Sequence, residues 1–392
     1  MTVTNNVAEA AESGRVESHL HPAGSFAVED HSPPTAQEEI WRFTPLKRMR
    51  DLPGDAAFGT RVSKYTWEVL DGANLEYVEG EHARDLRGVS GFVPNTRFTA
   101  RVLDEVSETL LVDIPDNAEL ADPVVVDLHG IDGSVSEAGH MVLRFGANSR
   151  AVVVLNHTGS ASMAQVVEIV VGDGAAVTVA SLQDWDDDAV HLTHTQARVG
   201  RDATYRHAAV SFGGDVVRMD CNVTYDGPGA EAELLGLYFA DAGQHLEHRL
   251  FVDHNQPHTQ SHVSYKGALQ GEGARTVWIG NVLIRPEAIG IETYEENRNL
   301  VLTDGCQADS VPNLEIETGE IEGAGHASAT GRFDDEQLFY LRSRGIPEIE
   351  ARRLVVHGFF NELIRKINVP AIEDRLVKTV EDELEKNLAA EL

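Results

Sequence analysis

Short apolar segments recur from about residue 100 to residue 333, and no helical pattern of any length interrupts them. Each segment has the length of a β-strand and is rich in Val, Ile, Leu or Thr. Turn-forming residues separate the segments, as in IPDN, GANS, VGDGAA and DGPGA. Typical segments are LLVDI, VVVDL, AVVVL, VVEIVV and AVTVASL. The sequence therefore predicts a mainly β core.

Three architectures accommodate so many short strands: a β-sandwich, a β-propeller and a parallel β-helix. A propeller should show a repeat of roughly 40–50 residues with a blade signature, and the sequence contains none. A sandwich of this length would be large for one domain. A parallel β-helix requires only that each coil stack on the next and bury an inward stripe. The pattern therefore favours the β-helix.

Both ends of the chain differ from this core. Residues 1–36 are polar and predict a disordered N-terminus, and residues 37–99 predict a helical region in which Trp41, Leu46 and Met49 form an apolar stripe. We expect the β-helix core to span residues 100–333 and a C-terminal helical domain to span 334–392. A helix ending near Gly345, a second one after Pro347 and a third with Leu376, Val380 and Leu384 on one face make up that domain. Helical segments of this kind could also cap an open end of the coil stack.

The charge of the chain limits its partners. The formal net charge is −32, from 32 Lys and Arg against 64 Asp and Glu. Such a chain repels phosphate backbones and anionic bilayers, which excludes nucleic acid and membrane surfaces as natural partners. The first twenty residues have neither a basic nor an apolar segment, so we expect no signal peptide. The two cysteines, Cys221 and Cys306, are too few for a disulfide scaffold. These features together predict a cytoplasmic protein.

Motifs for catalysis are absent from the sequence. There is no phosphate-binding loop, nucleophile elbow or CxxC pair. The acids Asp186, Asp187 and Asp188 leave open a β-helical enzyme acting on polysaccharides, but adjacent acids in a turn more often form a solvated corner. Five histidines at positions 245, 248, 254, 258 and 262 leave open a metal site, although a turn at Asn255–Pro257 interrupts their strand phase. We therefore predict that the chain is not an enzyme.

Several longer segments resemble one family. They are EEIWRFTPL, YKGALQGEGARTVWIGNVLI, ENRNLVLTDGCQADSVPNLEI, GHASATGRFDDEQLFYLRSRGI and ARRLVVHGFFNELI. Together they resemble the SufB/SufD family, the paired scaffold proteins of the SUF iron–sulfur cluster assembly system. The resemblance covers the chain from about residue 36 onward and is most specific between Val263 and Ile367.

Within that family the chain resembles SufD more than SufB. SufB-like sequences have a cysteine in the segment that here reads Glu295 to Asn299, and a glutamate directly after the histidine that matches His326. This chain has no cysteine in that segment and has Ala327 after the histidine. Cys306 departs from the usual SufD pattern, in which a small residue other than cysteine stands there. A SufB-like cluster-building paralogue remains the alternative.

The resemblance implies a fold, partners and a cargo. The expected fold is a right-handed parallel β-helix between N- and C-terminal helical regions. The expected partners are a SufB-like scaffold, through the β-helix cores, and a SufC-like ATPase, through the C-terminal helices. The resemblance also implies a transient iron–sulfur cluster shared with SufB. It leaves open a flavin on the complex and a homodimer of the isolated chain.

His326 is the first candidate site residue. It closes the β region among small residues such as Gly325 and Ala327, and imidazole is a ligand for iron. On its own it is more often a structural histidine, and the resemblance implies a role towards the nascent cluster at the SufB–SufD interface. Cys306 precedes it by twenty residues. If one coil has about that length, the thiol stacks near the imidazole and is a second candidate for the cluster, although a buried packing role is favoured.

The C-terminal helices supply the candidate partner-binding residues. Leu354, Val355, Phe359 and Leu363 lie at helical spacing and predict one apolar face. This face either packs against the β-helix or binds the ATPase. The sequence alone does not separate these two interpretations.

Overall fold

The computed structural model describes residues 24–333, 335–367 and 377–378 of the chain. It contains eighteen strands and four α-helices in these ranges. The strands are β1 Lys64–Trp67, β2 Asn74–Glu79, β3 Glu108–Ile114, β4 Val124–Gly130, β5 Ser136–Phe145, β6 Arg150–Gly159, β7 Ser162–Val171, β8 Ala176–Trp185, β9 Val190–Val199, β10 Thr204–Ser211, β11 Val216–Tyr225, β12 Glu231–Ala240, β13 His245–His254, β14 Gln260–Leu269, β15 Arg275–Ile284, β16 Glu292–Val301, β17 Gln307–Ile316 and β18 Gly323–Arg332.

The helices lie on either side of the long series of strands. They are α1 Gly80–Asp85, α2 Arg97–Glu105, α3 Asp335–Ser343 and α4 Glu348–Ile367, and short 3-10 turns occur at Val28–Asp30, Glu39–Trp41 and Leu46–Arg48. Helix α2 begins at a capping box, in which the Thr96 hydroxyl accepts from the Thr99 backbone N–H and the Thr99 hydroxyl accepts from the Thr96 N–H. In the described residues no helix combines the length and apolar character that crossing a bilayer requires.

The strands form a two-sheet parallel solenoid, which confirms the predicted fold class. From β3 onward even-numbered strands lie in one sheet and odd-numbered strands in the other. We call these sheets A and B. The sixteen strands β3 to β18 at two per coil give eight coils. All pairings between these strands are parallel, and only β1 with β4 and β2 with β3 are antiparallel. The chain thus advances by one strand of each sheet in every coil.

A continuous apolar core fills the space between the sheets. It includes Leu110, Val153, Val179, Leu234, Val263 and Trp278 and runs through successive coils. Residues in register on neighbouring parallel strands share a face, so the inward stripe repeats from coil to coil. The turns between strands are polar and need few residues. The alternation of apolar and turn segments in the sequence is the cause of this architecture.

The outer faces of both sheets are covered as well. Trp41, Met49, Phe98 and Val102 of the N-terminal region pack on Ala164, Val166, Leu192 and Val216 of sheet B. This explains why strands such as β7 are buried on nearly every residue instead of alternating. On the other side, Val356, Phe360, Leu363, Ile364 and Ile367 of α4 pack on Leu235, Leu237 and Phe239 of sheet A.

Helix α4 therefore lies along the side of the solenoid and contacts β12 and β14. The possibility that this helix caps the end of the coil stack is wrong, because its apolar stripe matches the outer face of sheet A. The predicted third helix, with Leu376, Val380 and Leu384, lies outside the described residues apart from 377–378. In the described parts of the chain the last coil has no covering element.

The predicted domain limits remain predictions. Residues 1–23 of the expected disordered segment 1–36 lie outside the described residues, whereas the described remainder, 24–36, includes a 3-10 turn whose Val28 carbonyl accepts from Arg97 at 3.0 Å. The expected helical region 37–99 contains strands β1 and β2 in addition to α1 and the start of α2. The solenoid strands begin at Glu108 and end at Arg332, close to the expected 100–333.

Candidate functional site at the last coil

The final two strands of the solenoid have unpaired edges. Strand β18 pairs only with β16, and β17 pairs only with β15, among the described residues. Every residue of β17 and β18 is half-buried or exposed, in contrast to strands of the inner coils such as β15. We call β17 and β18 the terminal coil. A strand edge of this kind presents unpaired backbone N–H and C=O groups, which favour pairing with another chain.

His326 is the fourth residue of β18. Its register partner on β16 is Glu295, whose side chain is buried. Because in-register neighbours share a face, His326 is aligned with the inward row of the solenoid. Its side chain is nevertheless 44% exposed, since no further coil stacks on it in the described chain. The histidine is therefore an interior position that the end of the coil stack leaves accessible.

Glu295 is the functional candidate that the sequence analysis did not find. It is 1% exposed, and neither carboxyl oxygen has a hydrogen-bond partner among the described residues. The ionisable side chain that approaches it is His326, with 3.8 Å between Oε1 and Nδ1. This separation is too long for a hydrogen bond. Burial raises the pKa of Glu295 to about 8, because ionisation in an apolar surrounding without donors is unfavourable.

The polar side chains next to Glu295 satisfy one another. Asn297 Nδ2 donates to Tyr238 Oη at 2.8 Å, and Tyr238 Oη donates to Asn299 Oδ1 at 2.7 Å. Ser310 Oγ donates to Asn297 Oδ1 at 2.5 Å, and Asn299 Nδ2 donates to the same oxygen at 2.8 Å. These four side chains form a closed polar network within the otherwise apolar interior of the last coils. Glu295 is left outside this network.

Cys306 lies at a corner and not beside His326. It precedes β17 in the turn after β16, and its thiol contacts the Gly271 carbonyl oxygen at 3.3 Å and Thr303 Oγ1 at 3.6 Å. The thiol is partly buried against the apolar core, and burial raises its pKa. A thiol in this state is a weak metal ligand unless a metal displaces its proton.

The expected coil length of about twenty residues is wrong. Register partners on neighbouring coils are between 26 residues apart, as for Ser136 and Ser162, and 32 apart, as for Arg275 and Gln307. A coil needs two strands of about ten residues and two corners. Cys306 therefore lies in a corner, directly before the first residue of β17, while His326 lies within β18, six residues before its end at Arg332. The predicted stacking of thiol on imidazole does not occur.

The remaining sequence candidates have ordinary structural surroundings. His254 contacts Thr259 Oγ1 at 2.7 Å and Ser261 Oγ at 2.9 Å, and His248 contacts Ser211 Oγ at 3.1 Å. Across the described residues no group of three or more His, Cys, Asp or Glu side chains is arranged to hold a metal ion. The acids at 186–188 lie exposed in a turn, where Asp188 accepts from Ser160 Oγ at 2.7 Å.

The four candidate partner-binding residues of α4 do not share one face. Leu363 is 1% exposed and packs on sheet A, so it is not available to a partner in this state. Val355 and Phe359 are half-buried, and Phe359 lies beside the Lys266 ammonium at 5.4 Å from its ring centroid. Leu354 is 53% exposed. The outward side of α4 therefore retains only part of the predicted set.

The raised pKa of Glu295 predicts a dependence of stability on pH. The unfolded chain loses this proton near the ordinary value of 4.5, and the folded chain loses it near 8. Between these values the folded state binds one more proton, so stability falls as pH rises, by at most about 1.4 kcal/mol per pH unit. We expect Glu295→Gln to reduce the fall between pH 5 and pH 8 by about 1–3 kcal/mol in urea unfolding.

The adjacent Glu296 provides the control for this measurement. It is half-buried on the outward face and accepts from Ser264 Oγ at 3.0 Å. Glu296→Gln should keep the slope of the wild-type protein. Equal slopes for wild type and Glu295→Gln would show that Glu295 is ionised in the folded chain at neutral pH.

Comparison with known proteins identifies the family. The model of the SUF system FeS cluster assembly SufBD core domain matches residues 129–359. The chain belongs to the SufBD family. The matched region includes the solenoid strands from the end of β4, the terminal coil, α3 and the first half of α4.

Relatives similar to this SufBD family chain include mycobacterial proteins. An iron–sulfur cluster assembly SufBD family protein of Mycobacterium bovis is 50% identical over 380 residues, covering 94% of this chain and 95% of the relative. One from Mycobacterium leprae is 49% identical over 366 residues, covering 92% and 93%. A second SufBD family protein of Mycobacterium leprae is 30% identical over 202 residues, covering 52% of this chain and 23% of that protein.

Proposed function

We propose that this SufBD family chain is a SufD-like, non-catalytic scaffold subunit that pairs with a SufB-like partner. The proposal rests mainly on the structure of the terminal coil. Its strand edges are unpaired in the described chain, and its inward row ends in an accessible histidine above a buried carboxylate. A partner strand placed against β17 or β18 would complete the backbone hydrogen bonds.

The comparison with Mycobacterium leprae supports pairing of two different family members. One SufBD family protein of that organism is similar over 92% of this chain. Another is similar over 52% of this chain and over 23% of its own length. A second family member with a solenoid of this kind would offer an edge of the same strand spacing. The absence of cysteine between Glu295 and Asn299 supports the SufD-like side of such a pair over the SufB-like alternative.

The C-terminal helices support an interaction with a SufC-like ATPase. Phe339 is 73% exposed, Tyr340 58% and Leu354 53%, although each is large and apolar or aromatic. Exposed side chains of this size on neighbouring helices are common at interfaces with partner proteins. In this proposal nucleotide binding by the ATPase pulls on α3 and α4 and shifts the complex towards a state in which the interface is open.

His326 would contact the nascent cluster in that open state. The cluster is the cargo of the complex, and a neutral imidazole is a suitable iron ligand. We place the complex in the cytoplasm, where reduced thiols are stable. A flavin on the complex stays a prediction from the family resemblance, as does the homodimer of the isolated chain.

The test of this function uses His326→Ala with His262→Ala as the matched control. His262 lies in the same sheet, on the outward face, stacked on Tyr294 with ring centroids 6.1 Å apart. Each variant is co-expressed with the SufB-like and SufC-like proteins of its own organism. We expect both variants to co-purify with the partners, and only His326→Ala to lower maturation of iron–sulfur enzymes, by at least tenfold.

Two outcomes would contradict the proposal. If neither partner co-purifies with the wild-type chain, the chain is not a subunit of such a complex. If His326→Ala matures iron–sulfur enzymes at the wild-type rate while remaining in the complex, the histidine is structural and the cluster is held elsewhere.

A further inference from the structure

One inward row of sheet A changes its chemistry at the end of the solenoid. In register order it contains Val179, His207, Leu234, Val263, Glu295 and His326. Leu234 and Val263 belong to the apolar core and are fully buried. A carboxylate and an imidazole occupy the last two positions. An inward position without a solvent contact is an unfavourable place for a carboxylate unless something binds it.

Among the residues that the structure describes, the surroundings of Glu295 provide room for its carboxylate but no hydrogen-bond donor. A Cβ added to Gly280 of β15 would collide with Glu295 Oε2, so the carboxylate occupies space that this glycine leaves free on the opposite sheet. The nearby amide Asn297 donates to Tyr238, and Asn299 donates to Asn297 and to Ser310, so neither amide donates to Glu295. In the described chain both carboxyl oxygens remain without a hydrogen bond.

The pair formed by Glu295 and His326 has the geometry of two ligands of one ion. The distance between Glu295 Oε1 and His326 Nδ1 is 3.8 Å. Two donors each about 2.1 Å from a common metal ion can be up to about 4.2 Å apart, so this distance fits an ion between them. A direct hydrogen bond would require less than about 3.2 Å. Carboxylate and imidazole together suit divalent metals of the first transition row.

We propose that Glu295 and His326 form a two-ligand site for a divalent first-row metal ion, with ferrous iron as the substrate in the cell. Glu295 is the new element of this site, and the assignment of iron rests on the proposed function. A single chain supplies only two protein ligands here, since the described residues hold no larger ligand group. The other coordination positions face the exposed side of β18, where water or a partner subunit would complete them.

The site explains three features that a salt bridge leaves unexplained. The carboxylate is buried without a donor from the described residues, the imidazole above it is accessible, and the two are separated by more than a hydrogen-bond length. A bound cation would satisfy the carboxylate that the fold leaves without a partner. It would also hold the half-exposed His326 ring in the orientation required for a ligand.

The experiment titrates the purified full-length chain with Co²⁺ under anaerobic conditions and follows the visible absorption of the bound ion. We expect saturable binding to the wild-type chain and at least a tenfold loss of affinity in Glu295→Gln and in His326→Ala. Glu296→Gln, adjacent in sequence and outward-facing, is the control and should bind as the wild type does. Thermal unfolding of each variant verifies that it folds.

Each result has a distinct consequence. Unchanged Co²⁺ affinity in Glu295→Gln, or no binding by the wild-type chain, overturns this inference and leaves the scaffold function unaffected. If Glu295→Gln does not fold, His326→Ala becomes the deciding variant, because His326 is exposed and its replacement should not disturb folding. Unchanged Co²⁺ affinity in His326→Ala then overturns the site. Conversely, suppose that the chain binds Co²⁺ through both residues but captures neither the SufB-like nor the SufC-like protein. That result would retain the metal site and reject the proposed function.

Discussion

Replacing Arg218 with alanine is expected to lower the free energy of unfolding by about 3–5 kcal/mol. The Arg218 guanidinium is fully buried and lies 4.1 Å from the centroid of the Trp41 ring. It donates to the Ile40 carbonyl oxygen at 2.9 Å and to Thr44 Oγ1 at 2.8 Å. One side chain of β11 thus holds the N-terminal segment on the outer face of sheet B.

Removing Arg218 would also leave the buried Glu247 carboxylate without its main cationic partner. Burial alone would raise the pKa of Glu247, but Arg218 at 3.6 Å keeps that pKa well below its usual value. Glu247 therefore contributes stability above its unfolded pKa, and this contribution is lost as pH falls. Removing Arg218 should make Glu247 harder to ionise in the folded chain.

Arg332→Ala is the control for Arg218→Ala. Arg332 pairs with Asp304 at 2.8 Å, but the two side chains are 78% and 89% exposed. An exposed pair of this kind contributes little, so the change should lower stability by no more than about 0.5 kcal/mol. Chemical unfolding measures both variants, and proteolysis near residues 39–52 should increase only in Arg218→Ala. Equal stability of the two variants would contradict the anchoring role of Arg218.

The second large effect is expected at Phe360 of α4. Its side chain is fully buried against sheet A, in the cluster that includes Leu235 and Phe239. Phe360→Ala should weaken packing of the helix by about 3–5 kcal/mol, since it removes a large apolar contact and leaves a cavity. We expect faster amide exchange over Glu348–Ile367 and, if α4 binds the ATPase as proposed, a loss of ATPase capture, because the helix no longer has a fixed position.

Leu354→Asp separates docking from packing on the same helix. Leu354 is 53% exposed and does not belong to the buried cluster. This variant should keep the wild-type amide exchange of α4 but capture less ATPase in a pulldown. ATPase capture at the wild-type level by Leu354→Asp would place the docking surface elsewhere. Wild-type amide exchange in Phe360→Ala would show that α4 is held by other contacts.

The solenoid was predictable because its signal is repeated in every coil. Runs such as AVTVASL and TVWIGNVLI are strand-length, apolar and bounded by turn residues, and each became part of a strand. Strands β1 and β2 were not predicted. Their sequences, KYTW and NLEYVE, are short and largely polar, and both strands are exposed or half-buried along their length. An antiparallel strand at the edge of a sheet carries little hydrophobic pattern.

The features of the site depended on register, which the sequence does not display. A glutamate in ETYEENRNLV is expected to point to solvent, and only its pairing with Val263 and His326 places Glu295 in the interior. The coil length was underestimated for the same reason, since the number of strands per coil is a tertiary property. On α4 the apolar residues Leu354, Val355 and Val356 are consecutive, so contact with sheet A decides which of them is buried.

The proposed function requires a SufB-like partner to cover the terminal coil. Hydrogen–deuterium exchange of the chain, alone and with that partner, tests it most directly. We expect the partner to slow amide exchange mainly in Gln307–Ile316 and Gly323–Arg332, the two strands with unpaired edges in the described chain. Unchanged exchange in both strands, with slowed exchange at β1 and β2 instead, would contradict it.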